Sequence, residues 1–124
     1  MTEPALPRVL IADDEDAIRT LVSRMLSRAG FDPVEATDGQ DAIEQLAAAP
    51  FDALVLDLMM PRVDGFGVVD YLIDARPHMM EKTVVITAFP HAAAKQRLHH
   101  LCCILSKPFD MEELIQVVRE CASR

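Results

Sequence analysis

The chain has no tryptophan, one tyrosine and only four glycines in 124 residues. It has no apolar run approaching the length of a membrane span. With 51% hydrophobic and 26% charged residues and so little glycine, it is expected to be globular rather than disordered. Basic residues are also scarce: 12 against 20 acidic, a net charge of -8, which argues against phosphate-backbone binding by this chain. The opening stretch Met1 to Arg8 lacks the positive-then-apolar layout of a signal peptide, so a native start and a cytoplasmic setting with no membrane contact are expected. The three cysteines, Cys102, Cys103 and Cys121, are odd in number with two adjacent, which does not look like a disulfide framework. Reduced thiols at core positions are the expectation. No linker, repeat or low-complexity stretch interrupts the chain, so a single domain over 1–124, with its core at about 8–122, is expected.

What is present is an alternation of short apolar runs with amphipathic segments. The runs Val9 to Ala12, Pro33 to Ala36, Ala53 to Asp57, Thr83 to Thr87 and Cys102 to Leu105 predict strands. Ile18, Leu21, Val22, Met25, Leu26 and Ala29 recur at helical spacing and stop at Gly30. Asp38 can cap a helix carrying Ala42, Ile43, Leu46 and Ala47, which Pro50 ends. Asp64-Gly65 opens a third helix with Phe66, Val69, Leu72 and Ile73. A fourth, from about Pro90 to Leu98, has few large anchors. A C-terminal helix carries Met111, Leu114, Ile115, Val118, Cys121 and Ala122, with Asp110 and Glu113 as a capping box. Five βα units in succession imply an α/β fold, a doubly wound five-stranded parallel sheet with right-handed crossovers.

In such a sheet the chemistry gathers outside the carboxyl ends of the strands. The first strand runs into Asp13-Asp14-Glu15 and the third ends on Asp57. Neighbouring first and third strands would bring these acids together. Close carboxylates repel and raise one another's pKa, a conflict that a hard divalent cation with oxygen ligands removes. Helix capping explains one of the paired aspartates, not two beside a third on another strand. The fourth strand ends on Thr87 and the fifth is followed by Lys107, which adds a hydroxyl and an ammonium to the same edge. Nucleophile, metal ligands, point-charge cation and hydroxyl donor form a set suited to phosphoryl transfer.

The acid pair Asp13-Asp14, the stretch Asp57-Leu58-Met59-Met60-Pro61-Arg62-Val63-Asp64-Gly65, Thr87-Ala88 and Lys107-Pro108-Phe109 follow one another in this order on strand ends. In that pattern, from about Val9 to the end, the chain resembles the receiver domains of response regulators, the chemotaxis-receiver-like modules of two-component phosphorelays. The resemblance implies a flavodoxin-like (βα)5 fold with strand order 2-1-3-4-5. It also implies Mg²⁺, with Mn²⁺ as the alternative ion, held by Asp13, Asp14, Asp57 and the backbone carbonyl of Met59. Asp57 resembles the phosphoacceptor, Thr87, Ala88 and Lys107 the phosphoryl-binding set, and Lys107-Pro108 a cis peptide. The implied partner is a sensor histidine kinase or histidine phosphotransfer protein, with a downstream protein target and no turnover of an outside substrate. Thr87, Phe89 and Ile104 occupy the switch positions, and Met59 and Phe89 flank the path of the hydrolytic water. Both of those are large and apolar, which implies slow loss of the phosphoryl group.

The chain departs from the family in one region. His100, Leu101 and Ile104 replace the usual Gly-Ala and the aromatic three residues before the lysine, and the stretch from Thr87 to Lys107 is shorter than usual. Ile104 is stiff at χ1 and lacks a hydroxyl. A short, loosely held fourth helix and an atypical output face are expected, with Phe89 taking part of the switch role. A degenerate receiver acting as a phosphorylation-independent interaction module is the alternative. A phosphatase of the haloacid-dehalogenase type wants a second acid two residues after the nucleophile, where Met59 sits. Flavin binding lacks the aromatics and a phosphate-cradling loop. A soft-metal site in His99-His100-Leu101-Cys102-Cys103 is disfavoured, because adjacent strand residues point to opposite faces.

Overall fold

The structure, a computed structural model, describes residues 6–60, 62–88 and 101–124. Five strands, β1 (Arg8–Ala12), β2 (Asp32–Ala36), β3 (Ala53–Asp57), β4 (Thr83–Thr87) and β5 (Cys103–Ser106), form one parallel sheet in the order β2-β1-β3-β4-β5. Helices α1 (Asp16–Arg28), α2 (Gly39–Ala48), α3 (Gly65–Ala75) and the C-terminal helix (Met111–Ala122) accompany it, with a 3₁₀ turn over Pro77–Lys82. Phe89, the expected fourth helix from Pro90 to Leu98, the His99-His100 pair and Pro61 lie outside the described residues.

Strand alternation divides the interior into two layers. Leu10, Leu54, Leu56 and Val85 pack with Ala42 and Leu46 of α2 and Val68 and Leu72 of α3. Val9, Ile11, Val55, Val84, Ile86 and Leu105 pack with Val22 and Leu26 of α1 and Leu114 and Val118 of the C-terminal helix. β3 and β4 are buried at every residue, as strands covered on both faces must be.

Local signals decide the helix ends. Gly30 takes a φ of 98° after α1, a left-handed conformation that glycine adopts without steric cost. Asp38 accepts from the Asp41 N–H and Asp64 from the Gly67 N–H, so both cap as expected. Asp110 accepts from Glu112 N–H at 3.0 Å rather than from Glu113, an earlier donor than the expected capping box uses. β5 runs Cys103 to Ser106, one residue later than expected, because Thr87 pairs with Ser106.

The helix faces differ in several places from the periodicity, and Ala47, expected on the inner face of α2, is exposed. Leu21 and Ile73 were expected inside and are 49% and 43% exposed, while Val68 is buried. Arg19, not Leu21, shares the inner face of α1 with Val22 and Leu26. The expectation of reduced thiols is also corrected. Cys102 and Cys121 are joined by a disulfide with Cα atoms 5.8 Å apart, and Cys103 is the free thiol. The inner face of the C-terminal helix returns Cys121 to the start of β5, a proximity that spacing along the chain does not carry.

Gly65 fixes how α3 meets the end of β3. Its N–H donates to the Leu58 carbonyl at 2.9 Å. A Cβ there would lie 2.5 Å from Leu58 Cα and 2.8 Å from the Asp57 carbonyl oxygen. Both are backbone atoms that cannot swing aside. Gly65→Ala is expected to lower unfolding free energy by about 1–3 kcal/mol, as overpacking does, which chemical denaturation will measure. A neutral substitution would mean that α3 can shift away at no cost.

Candidate functional site

Asp57 is the last residue of β3 and only 3% exposed. Its carboxylate is held from two sides: Met59 N–H donates to Oδ1 at 3.1 Å and Lys107 Nζ to Oδ2 at 3.1 Å. Lys107 reaches it from the turn after β5, where its own N–H donates to the Thr87 carbonyl at 2.9 Å. The Lys107-Pro108 peptide is cis. Asp13 and Asp14 follow β1, the neighbour of β3, and oxygens of Asp13, Asp14 and Asp57 lie within 4.8 Å of one another. Thr87 closes β4 and is buried, and Ala88 beside it is exposed. The parallel topology therefore brings Asp13, Asp14, Asp57, Thr87 and Lys107 to one edge.

The electrostatics show the strain of this grouping. Burial pushes the Asp13 carboxyl up from 3.8 to about 6, and the charges of Asp57 and Asp14 add to the rise. The Glu15 N–H and Lys107 oppose it. Burial works to lower the Lys107 pKa, but its hydrogen bond to Asp57 and the charges of Asp57, Asp13 and Glu15 together outweigh that, and the ammonium is held above its ordinary value. Lys107 supplies one positive charge among three carboxylates. An all-oxygen donor set with surplus negative charge fits a hard divalent cation.

The remaining candidates sit at the periphery. The Met59 side chain is 64% exposed, so it flanks Asp57 from the solvent side. Ile104 is partly buried, paired with Val85, and packs on the α2–α3 layer. The periodicity missed Arg19. Its guanidinium donates to the Asp13 carbonyl at 2.7 Å, to Glu35 at 3.1 Å and to Asp16. An arginine one position after Ile18 and three before Val22 reads as a solvent residue unless the acidic turn beside it is considered.

Residues 9–119 match the response regulator receiver domain. The chain belongs to that family. The receiver is 36% identical over 116 residues to the DNA-binding dual master transcriptional regulator RpaA of a Synechocystis strain, covering 92% of this chain and 48% of that protein. It is 35% identical over 126 positions to the transcriptional regulatory protein PdtaR of Mycobacterium tuberculosis, covering 98% of this chain and 60% of that one. The chain thus spans about half to three-fifths of the length of these relatives. Among solved structures, the Francisella response regulator 1452 receiver domain superposes with a TM-score of 0.85 at 28% identity, over 95% of this chain and 98% of that one. The Vibrio cholerae chemotaxis protein CheY4 superposes at 0.82 and 28%, over 94% and 99%. Among the described residues of the receiver, no helix is long and apolar enough to cross a membrane.

The raised Asp13 pKa sets a pH dependence. The folded metal-free receiver holds this proton more tightly than the unfolded chain, so the Asp13 contribution to stability falls as pH rises from about 4 to about 6. In EDTA at pH 7.5, Asp13→Asn is expected to stabilise by about 1–3 kcal/mol, with the gain gone by about pH 4. Thermal melts across that range will check it.

Proposed function

We propose that the receiver accepts a phosphoryl group on Asp57 from a phosphohistidine of a sensor kinase or phosphotransfer protein, and signals by protein contact. The observation that carries this reading is the Asp57 carboxylate, gripped by Lys107 at 3.1 Å beside two further acids. In the reaction an Asp57 oxygen attacks phosphorus in line, the O–P bond forms, the P–N bond breaks, and its electron pair returns to the partner imidazole. Lys107 and the Met59 N–H keep the carboxylate oriented, and Lys107 offsets charge on the phosphoryl oxygens. Thr87, at the adjacent strand end, would donate to one of those oxygens, and the N–H of Ala88 to another. Asp13, Asp14, Asp57 and the Met59 carbonyl would hold Mg²⁺, or Mn²⁺ in its place. Bound there, the ion supplies charge neutralisation for both the acids and the phosphoryl group.

An apolar groove of about 500 Å³ supports a protein as donor. Ile18 and the outward-facing Leu21 line it with Pro108, Phe109 and Met111, and Lys107 joins it to the site. This gives the exposed leucine a role: apolar surface beside a buried acid suits a protein partner. The receiver would turn over no outside substrate, its only reactions being its own phosphorylation and dephosphorylation. DNA binding, which RpaA's name states of RpaA, would fall outside this acidic chain.

Incubation with a small phosphodonor and Mg²⁺ should add one phosphoryl mass to the wild type and none to Asp57→Asn. No acyl phosphate on the wild type would favour an interaction module that works unphosphorylated, a reading to which Ile104 at the switch position lends weight. The solvent-exposed Met59 offers no group to orient water. Met59→Asn should therefore speed loss of the acyl phosphate, because its amide can hydrogen-bond a water beside the phosphoryl group. An unchanged decay rate in a time course after donor removal would remove Met59 from this role.

A further inference from the structure

Arg19 is a buried cation whose bonds exceed what charge pairing requires. Its side chain is 10% exposed, and it pairs with Asp16 and Glu35. Its third bond, from Nη1 at 2.7 Å, goes to a neutral group, the Asp13 carbonyl. That bond completes a set around one residue. The Asp13 N–H donates to the Ala36 carbonyl at 3.3 Å, and Asp13 Oδ1 accepts from the Glu15 N–H at 2.9 Å. Main chain and side chain of Asp13 are thus fixed together, with β2 on one side and α1 on the other. Only a planar fork with donors in several fixed directions can span a carbonyl and two carboxylates at once.

We infer that Arg19 is a positioning residue for divalent-cation binding. It holds the turn between β1 and α1 so that the Asp13 and Asp14 oxygens face Asp57. The inference rests on reading that cluster as a cation site and does not require phosphorylation of Asp57.

The test is Mn²⁺ titration followed by electron paramagnetic resonance, repeated with Mg²⁺ by calorimetry, on the full chain below its melting temperature. Arg19→Met should weaken binding about tenfold or more, as loss of a group that orients metal ligands does. Glu35→Gln removes a charged partner of Arg19 but leaves its bond to Asp13, and should bind the ions close to wild type, without the loss expected of Arg19→Met. Arg19→Lys should fall between them. A purely structural Arg19 would lower the melting temperature in both variants without separating their affinities, and that result overturns the inference. Should Arg19→Met fail to fold, the wild type decides: saturating Mg²⁺ should slow guanidinium proton exchange at Arg19, and unchanged exchange overturns it. A wild type that binds neither ion overturns the cation reading and this inference together. Normal ion binding without acyl phosphate formation fails the phosphoryl reading alone.

Discussion

Three carboxylates brought within 4.8 Å at one edge of a buried sheet set the terms for the rest of the receiver. Such a group is unfavourable unless positive charge and oriented donors surround it. The chain meets that demand with Lys107 on Asp57, backbone N–H groups on Asp57 and Asp13, and Arg19 behind the Asp13 carbonyl. The compensation is incomplete: burial, with the charges of Asp57 and Asp14 adding to it, still raises the Asp13 pKa. The remaining negative charge makes the edge receptive to a cation.

The parallel sheet is what allows residues so far apart in the chain to meet. All five strands run the same way, so each delivers its last residue to the same edge. Two apolar layers clamp the strands from either side, and the register follows from which side chains enter which layer. Among the described residues, no buried side-chain nitrogen or oxygen lacks a partner, so the acids are crowded but well supported. The Cys102–Cys121 disulfide ties the start of β5 to the last turn of the C-terminal helix, at the opposite end of β5 from Lys107.

Much of this was legible in the chain itself. Apolar runs ending on Asp57 and Thr87, and turn and cap residues such as Gly30, Asp38 and Asp64, specify β3, β4 and three helix boundaries locally. The order of Asp13-Asp14, Asp57, Thr87 and Lys107 on strand ends carries the site. Helix facing was less legible. A 3.6-residue period marks a stripe but not its width, so Leu21 and Ile73 were placed inward and Val68 was not.

The sequence by itself therefore determined the five strands, four of the helices that accompany them and which polar residues stand at the strand ends, because those depend on neighbours within a few residues. Only the tertiary structure decided that Cys121 meets Cys102, that Leu21 borders a groove beside Lys107, and that Arg19 turns inward. Each depends on which face of a helix meets which strand, and packing of the whole sheet sets that. Arg19 shows the reason most plainly. An arginine on an amphipathic helix belongs in water until the fold places a buried carbonyl and two carboxylates around it, and then the inner face is the lower-energy position.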